Sequence, residues 1–163
     1  PVSVRRLFVM MLRPATTNAD LDAVRRLFRA YAESLDFDLC FQDFEHELDR
    51  LPGPYAAPDG RILLADVDGE PVGVVAVQPL DDDGVCEMKR LYVDPAHRGQ
   101  GIARALTERL LDVARALGYT TMRLDTVASM TAARGLYRSL GFAERDAYYD
   151  NPLPNVVYME CDL

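Results

Sequence analysis

The sequence predicts a single α+β domain in which helices flank a mixed central β-sheet. The middle of the chain contains β-branched apolar runs separated by turn residues, a pattern typical of strands. On both sides of it, apolar residues recur every three or four positions, which is typical of amphipathic helices. The chain has 163 residues, of which 49% are hydrophobic and 27% charged, so one hydrophobic core is expected.

The predicted elements follow the order β-α-α-β-β-β-α-β-α-β-β along the chain. Strands are predicted at 9–13, 61–67, 71–80, 85–93, 120–126, 142–147 and 156–162. Helices are predicted at 17–35, 43–51, 102–117 and 130–140. No internal repeat or linker interrupts this order, so no boundary between domains is placed within it.

Helix signals support these assignments. In the first helix Thr17, Asn18 and Asp20 are candidates for the N-cap, because their side chains can accept hydrogen bonds from free backbone amides. The second helix stops at the sequence Pro52-Gly53-Pro54, which cannot continue a helix. The third and fourth helices each end at a glycine, Gly118 and Gly141.

Turn signals define the strands. Asp68-Gly69 joins two β-branched runs and is a strong signal for a tight hairpin. A second turn at 81–84 leads into the strand at 85–93, so the middle of the chain is an antiparallel meander. The strand, helix and strand that follow predict one parallel crossover connection. The last two strands are interpreted as a terminal hairpin.

Composition excludes several classes of function. There are 18 basic and 26 acidic side chains, a net charge of −8, which disfavours nonspecific binding of nucleic acid. This net charge does not exclude a small polyanionic ligand, because a few backbone amides and arginines make a local positive site. Cys40, Cys86 and Cys161 lie far apart and favour free thiols over disulfides or a zinc site. His46 and His97 are isolated, so no metal is predicted.

The N-terminal segment is assigned as an extension at 1–10, preceding one domain at 11–163. Its apolar run is too short to cross a membrane, and no small-residue cleavage site follows it. Met10 and Met11 are alternative starts of the native chain. We expect a cytoplasmic protein without a membrane partner.

A glycine-rich turn at 93–103 lies where a predicted strand ends and a helix begins. The first turn of a helix has unpaired amides at the positive end of the helix dipole, and Gly99 and Gly101 allow close approach of a ligand. Arg98 can add a charged contact, so the turn predicts a phosphate cradle. A P-loop is excluded because no Gly-Lys-Ser/Thr occurs. Arg104 occupies the place of the third small residue of a dinucleotide fingerprint.

Two segments resemble signatures of the GNAT superfamily of N-acetyltransferases. Arg98, Gly101 and Ala103 match the pattern Arg/Gln-x-x-Gly-x-Gly/Ala for coenzyme A. The segment 133–142, with its Leu-Tyr pair and its Gly-Phe ending, resembles the second signature of the family. The element order from about residue 12 to residue 163 also matches. Both signatures in the right order make the resemblance specific.

The resemblance implies a splayed sheet, in which the parallel strands at 85–93 and 120–126 part to form a slot for acetyl-CoA. The pantetheine arm would pair with the strand, and the pyrophosphate would lie on amides of the turn. Where the family often has Asn, this chain has Met130, so Ser129 is the candidate replacement. The implied cofactor-binding residues are Leu91, Tyr92, Val93, Arg98, Gly99, Gln100, Gly101, Ile102, Ala103, Arg104 and Ser129. The arginines at 104, 134 and 138 are candidates for binding the 3′-phosphate of coenzyme A. The alternative is that they are solvated surface side chains.

Glu87 is the candidate general base, acting directly or through a water. A carboxylate in a strand otherwise suited to burial is costly unless it is used or paired, and the family usually has a carboxylate on this strand. The competing interpretation is a salt bridge to Lys89, Arg90 or Arg123. Alternation places Glu87, Lys89, Leu91 and Val93 on one face, opposite Met88, Arg90 and Tyr92.

Tyr137 is the candidate general acid for the coenzyme A thiolate, with core packing as the alternative. A backbone amide near Leu91 or Tyr92 would polarise the thioester carbonyl. In this fold the acceptor site is walled by the segments 37–44 and 147–152. We expect direct transfer of an acetyl group from acetyl-CoA to the amine of a small molecule or amino acid. The sequence leaves three other functions open: an O-acyltransferase or an enzyme that uses a longer acyl-CoA, a protein-directed acetyltransferase, and a catalytically silent sensor domain. A homodimer also stays open.

Overall fold

A seven-stranded sheet with the strand order β1-β2-β3-β4-β5-β7-β6 forms the centre of the domain. The structure is a computed structural model that describes residues 8–39 and 43–163. Its strands are β1 (Met10–Pro14), β2 (Arg61–Val67), β3 (Glu70–Pro79), β4 (Val85–Val93), β5 (Thr121–Val127), β6 (Ala143–Arg145) and β7 (Val156–Asp162). Its helices are α1 (Asn18–Ser34), α2 (Phe44–Arg50), α3 (Ile102–Ala116) and α4 (Thr131–Ser139). The predicted α+β class and element order are confirmed.

The meander β2-β3-β4 forms because its turns have the conformations that the sequence predicts. Asp68 and Gly69 both have positive φ, 49° and 85°, as the two-residue hairpin requires. Every strand pairing is antiparallel except that of β4 with β5. Helix α3 makes the predicted parallel crossover between these two strands.

The two faces of the sheet are covered by separate apolar cores. Helices α3 and α4 cover one face, where Leu106 and Leu110 of α3 are completely buried. Helices α1 and α2 cover the other face, where Val24, Phe28 and Leu48 are completely buried. The residues of β4 contribute to both cores, so this strand connects the two layers.

A polar cluster fixes the start of α1 against the sheet. Thr17 and Asp20 form a reciprocal capping box, in which each side chain accepts a hydrogen bond from the backbone of the other. Arg13 of β1 bridges Asp20 at 2.7 Å and Asp66 of β2 at 2.6 Å. Hydrogen bonds from the backbone amide of Thr16 and from Arg13 lower the pKa of Asp20, against the opposing effect of burial. Asp20 therefore links the start of α1 to the edge strand β1 and, through Arg13, to β2.

Parts of three predictions fall on residues outside the described ranges. Residues 1–7 of the predicted extension are among them, as are Cys40 and residues 41–42 of the predicted acceptor wall. The first strand is displaced by one residue from its predicted bounds and includes Met10. No helix in the described part of the chain is long and apolar enough to span a membrane.

We predict that Asp20→Ala lowers the free energy of unfolding by about 2 kcal/mol, because the helix cap and the partner of Arg13 are both lost. The folded-state pKa of Asp20 is depressed, so its stabilisation is present above the unfolded pKa of about 4 and is lost as pH falls further. Urea denaturation at pH 7 and at pH 3 measures this difference. Asp22→Ala, at an exposed residue of the same helix, is the matched control and should cost little. Equal losses of unfolding free energy in the two variants would contradict the role assigned to Asp20 in the helix cap and the ion pair.

Candidate active site

The parallel strands β4 and β5 separate after only three residue pairs and leave a slot in the middle of the sheet. The ladder between them ends at the pair Glu87 and Arg123. Beyond it, the edges of β4 and β5 that face each other have no strand partner among the described residues. The slot is lined by Tyr31, Phe37, Leu39, Met88, Lys89, Arg90, Leu91, Leu124, Asp125, Thr126, Val127, Met130, Ala133, Tyr137, Asn151 and Leu153. The predicted splay of the sheet is confirmed.

A β-bulge in β4 lies beside the slot. The register changes from Val74 opposite Tyr92 to Ala76 opposite Lys89, so β4 has one residue more than β3. Arg90, in the bulge, has a φ of 62°, which is unusual for a residue with a side chain. Such an insertion bends the strand and increases its twist, which favours its separation from β5.

The bulge overturns the predicted alternation of β4. Leu91 and Val93 were expected on the face opposite Met88, but all three contact the core beneath α3. Tyr92 contacts the other core, beneath α1 and α2. The extra residue at the bulge shifts the period by one position, and each side chain that follows changes face relative to those before it.

The side chain of Arg90 is fixed by contacts with residues of α2. Its Nε and Nη2 each donate a hydrogen bond of 3.0 Å to the carboxylate of Glu47, and its guanidinium lies over the ring of Phe44. Burial lowers the pKa of Arg90, but the bonds to Glu47 outweigh this effect and the pKa is raised. The bidentate pair therefore connects α2 to the bulge.

Glu87 lies on β4 where the ladder to β5 ends and is 4% exposed, and its side chain lines a cavity beside the slot rather than the slot itself. Its Oε1 accepts a hydrogen bond of 2.8 Å from Gln78, and its Oε2 accepts one of 2.5 Å from the phenol of Tyr148. Of the three cations considered as salt-bridge partners, Lys89 is within ion-pair distance, at 3.9 Å. Arg123 pairs instead with Asp82 and Glu160, and Arg90 pairs with Glu47. Glu87 is thus a buried carboxylate with neutral donors on both oxygens.

Asp125 of β5 is a site residue that the sequence reasoning missed. Its Oδ2 accepts hydrogen bonds of 2.5 Å from the phenol of Tyr149 and 3.3 Å from the amide of Asn151. Its Oδ1 lies 4.0 Å from Nζ of Lys89. The available signal was an acidic residue in the middle of a strand with alternating burial. The segment between β6 and β7 therefore supplies one tyrosine to each of two carboxylates, Glu87 and Asp125.

Tyr137 of α4 lies on the opposite wall of the slot from α1. Its ring packs edge-on against Phe142 at 5.8 Å, and its side chain is one of those that line the slot. Burial raises its pKa, and the nearby Tyr31 and Asp125 raise it further. The phenol is protonated at neutral pH, as tyrosine hydroxyls ordinarily are, and can donate a hydrogen bond.

The glycine-rich turn forms a shallow cavity at the start of α3. Gly99 and Gly101 both have a φ of 78°, a conformation that favours glycine, and a Cβ at either position would meet no atom within 4 Å. No side chain caps α3, and its first bond runs from the amide of Ala105 to Gly101. The amides preceding Ala105 in the helix therefore point outward. The cavity is lined by Val93, His97, Arg98, Gly99, Gly101, Ile102, Ala103, Arg104 and Leu136.

Two predicted cofactor residues that line this cavity, Arg98 and Arg104, have partners within the protein, and two others, Gln100 and Ser129, line neither the cavity nor the slot. Arg98 donates from Nε to the carbonyl of Val93 at 3.1 Å, so its guanidinium turns back towards β4. Arg104 donates to the hydroxyl of Ser139 at 2.8 Å, which places its head beside α4. Gln100 is exposed and is not among the residues lining the cavity. Ser129 is exposed and is not among those lining the slot, whereas its neighbour Met130 is.

Other charged groups near the site have partners of their own. Arg134 donates to the carbonyl of Ala128 and to Glu144, and Arg138 also donates to Glu144. In residues 8–39 and 43–163 no three His, Cys, Asp or Glu side chains form a group that could hold a metal ion.

Comparison with known proteins identifies the family. A sequence model of the acetyltransferase (GNAT) family matches residues 21–142, and the chain belongs to this family. An uncharacterised N-acetyltransferase of Schizosaccharomyces pombe is 41% identical over 145 residues, which cover 88% of this chain and 89% of the relative. The protein is accordingly an acyltransferase.

More distant relatives agree with this assignment. The human N-acetylaspartate synthetase is 35% identical over 81% of this chain, and the matched part spans 41% of the human protein. Among solved structures, a GNAT acetyltransferase of Staphylococcus aureus has a TM-score of 0.78 at 16% identity, covering 94% of this chain and 99% of the other. The PaiA N-acetyltransferase of Thermoplasma acidophilum, in complex with coenzyme A, has a TM-score of 0.74 at 16% identity, covering 95% and 99%. At this identity the two structures show the shared fold.

Proposed function

We propose that the protein transfers the acetyl group of acetyl-CoA directly to the amine of a small molecule or amino acid. The observation that carries this proposal is the position of the slot, whose unpaired strand edges lead to the outward-pointing amides at the start of α3. A long ligand with amide groups at one end and phosphates at the other has complementary chemistry to these two features. Membership of the acetyltransferase family supports the same ligand.

The cofactor residues divide between the slot and the cavity. The backbone of Leu91, Tyr92 and Val93 would pair with the pantetheine arm, as a strand partner would. Backbone amides at 98–103 would hold the pyrophosphate, with the helix dipole favouring the negative charge. Arg104 would add a charge near the phosphates, and an amide near Leu91 would polarise the thioester carbonyl. Ser129 remains the weakest of these assignments, because its side chain is exposed.

Glu87 is proposed as the general base. The incoming ammonium must lose a proton before nitrogen can attack the thioester carbon. Glu87 is buried beside the slot, where the ladder between β4 and β5 ends, and its two oxygens are already hydrogen-bonded to Gln78 and Tyr148. This arrangement favours proton removal through a water or after movement of Tyr148.

Tyr137 is proposed as the general acid. When the N–C bond forms and the C–S bond breaks, the sulfur leaves as a thiolate that needs a proton. Tyr137 lines the slot, and its phenol is protonated at neutral pH, as tyrosine hydroxyls ordinarily are. The products are then an acetylated amine and free coenzyme A, with the proton from the ammonium on Glu87.

An amino acid as acceptor is supported by the relatives. Several vertebrate relatives are named N-acetylaspartate synthetase, and they are 35–40% identical to this chain over the matched regions. The lining of the slot is compatible with the predicted acceptor wall, since Phe37 and Leu39 of the segment 37–44 and Asn151 of the segment 147–152 line it.

We predict that Tyr137→Phe lowers kcat about 10- to 100-fold and leaves the affinity for acetyl-CoA nearly unchanged, because only the proton donor is lost. Single-turnover thiol release and calorimetry with acetyl-CoA measure the two quantities. Tyr31→Phe, which removes another phenol lining the slot, is the matched control. An unchanged rate of thiol release in Tyr137→Phe would exclude the acid role.

Glu87→Gln should lower kcat at least about tenfold and abolish the acidic limb of the pH–rate profile, since the amide cannot accept a proton. The profile of kcat/KM from about pH 5 to about pH 9 tests this expectation. Glu108→Gln, on the exposed surface of α3, should leave the profile unchanged. A variant profile that superimposes on the wild type would assign Glu87 a structural role.

The proposed function as a whole is tested by coenzyme A release from acetyl-CoA in the presence of small amines, amino acids and basic peptides. We expect turnover with members of the first two groups. Release only with peptides would indicate a protein-directed enzyme. No release with any acceptor, despite binding of acetyl-CoA, would indicate a silent sensor domain and contradict the proposal.

A further inference from the structure

Tyr148, in the segment between β6 and β7, contacts the carboxylate that is proposed as the base. Its phenol donates a hydrogen bond of 2.5 Å to Oε2 of Glu87, and both side chains line the cavity beside the slot. Tyrosine hydroxyls are protonated at neutral pH, so Tyr148 is the donor and the carboxylate is the acceptor. A hydrogen bond donated to a carboxylate in this way stabilises its ionised form.

The ring of Tyr148 is held on several sides, which fixes the position of its hydroxyl. Tyr158 packs edge-on against it, with the ring centroids 5.3 Å apart. The guanidinium groups of Arg123 and Arg145 lie 5.5 Å and 5.8 Å from its centroid. Both arginines also donate to the carboxylate of Glu160 on β7. These contacts connect the ring to β5 and β7 and favour proton transfer through a water over movement of Tyr148.

The next residue along the chain, Tyr149, contacts a different carboxylate. Its phenol donates a hydrogen bond of 2.5 Å to Oδ2 of Asp125 on β5. One segment therefore presents the same chemical group to two carboxylates on neighbouring strands. Removal of either hydroxyl changes one carboxylate and leaves the donor of the other in place, so Tyr149 provides a matched control for Tyr148.

The charges around Glu87 do not depend on the hydroxyl of Tyr148. Lys89, whose Nζ lies 3.9 Å from Oε1, favours the ionised form of Glu87, and Gln78 donates to the same oxygen at 2.8 Å. The other titratable groups that line the cavity or interact with Glu87 or Lys89 are Asp81, Asp82, Arg123, Tyr149, Asp125, Tyr55 and Cys86. A change of Tyr148 to phenylalanine thus removes one stabilising donor and no charge.

We propose that Tyr148 is a positioning residue of the reaction, which keeps Glu87 ionised and fixes the orientation of its carboxylate. This inference rests on the proposed function and names a residue that acts through the base. A carboxylate oxygen accepts more than one hydrogen bond, so Oε2 can accept from a water while it is bonded to Tyr148. In the reaction, one proton passes from the ammonium of the acceptor through this water to Glu87, and Tyr148 keeps its own proton.

Tyr148→Phe tests this role, because it removes the hydroxyl and keeps the ring with its contacts. Without the donor the ionised carboxylate is less stable, so the base stays protonated up to a higher pH. We expect the acidic limb of the kcat/KM profile to move upward by about one pH unit, a loss of about tenfold below the limb. The plateau above the limb should change less. Tyr149→Phe should leave the position of the limb unchanged.

The profiles are measured with a single acceptor, the small amine or amino acid that gives the fastest release of coenzyme A. The ionisation of this acceptor then contributes equally to every variant. Calorimetry with acetyl-CoA verifies that each variant is folded.

Replacement of Tyr148 by 3-fluorotyrosine is a second variant, which preserves the shape of the residue almost entirely. Fluorine makes the hydroxyl more acidic and therefore a stronger hydrogen-bond donor. We expect the acidic limb to move downward in this variant, in the direction opposite to the shift in Tyr148→Phe.

The outcomes separate the inference from the proposed function. An acidic limb of Tyr148→Phe that superimposes on the wild type would overturn the inference, because a purely structural role lowers the rate equally at every pH. A shift of the same size in Tyr149→Phe would overturn it as well. If Tyr148→Phe does not fold, the fluorotyrosine variant decides, and an unmoved limb there overturns the inference. Failure of the proposed function has a different signature: no coenzyme A is released with any acceptor, or Glu87→Gln keeps the wild-type limb.

Discussion

The separation of β4 from β5 is the constraint on which the remainder of the site depends. A parallel pair that continued beyond Glu87 and Arg123 would fill the slot with a hydrogen-bond ladder. The bulge at Arg90 bends β4 away, and α2 holds the bulge through the bidentate contact with Glu47. The conformational cost of a positive φ at Arg90 is thus offset by contacts made only in the bent strand. The slot follows from this one departure from a regular sheet.

The second feature of the site is its dense pairing of largely buried charges. Glu87 and Asp125 come from adjacent strands, and the segment between β6 and β7 gives each of them a tyrosine hydroxyl. Buried carboxylates without such donors would be strongly destabilising. The C-terminal segment therefore supplies polar partners to two carboxylates of the central strands. The same contacts explain why segments far apart in sequence meet at the slot.

Sequence reasoning predicted the fold well because the relevant signals are local. The Asp68-Gly69 hairpin, the periodicity of α1 and α3, and the glycines of the cradle each act within a few residues. The bulge could not be predicted in this way. Its residue with positive φ is Arg90, and the sequence has no glycine at this position to indicate such a conformation. Strict alternation along β4 consequently assigned Leu91 and Val93 to the wrong face relative to Met88. The hydrogen bond from Tyr148 to Glu87 was also missed, because the two residues lie 61 positions apart in sequence.

The most direct measurement is a crystal structure of the protein with coenzyme A. The account predicts the pantetheine arm between β4 and β5, hydrogen-bonded to the backbone of residues 91–93, and the pyrophosphate on amides at the start of α3. The free thiol should then lie within reach of the phenol of Tyr137. Coenzyme A bound elsewhere on the protein, or a slot closed by continued pairing of β4 and β5 beyond Glu87, would contradict it.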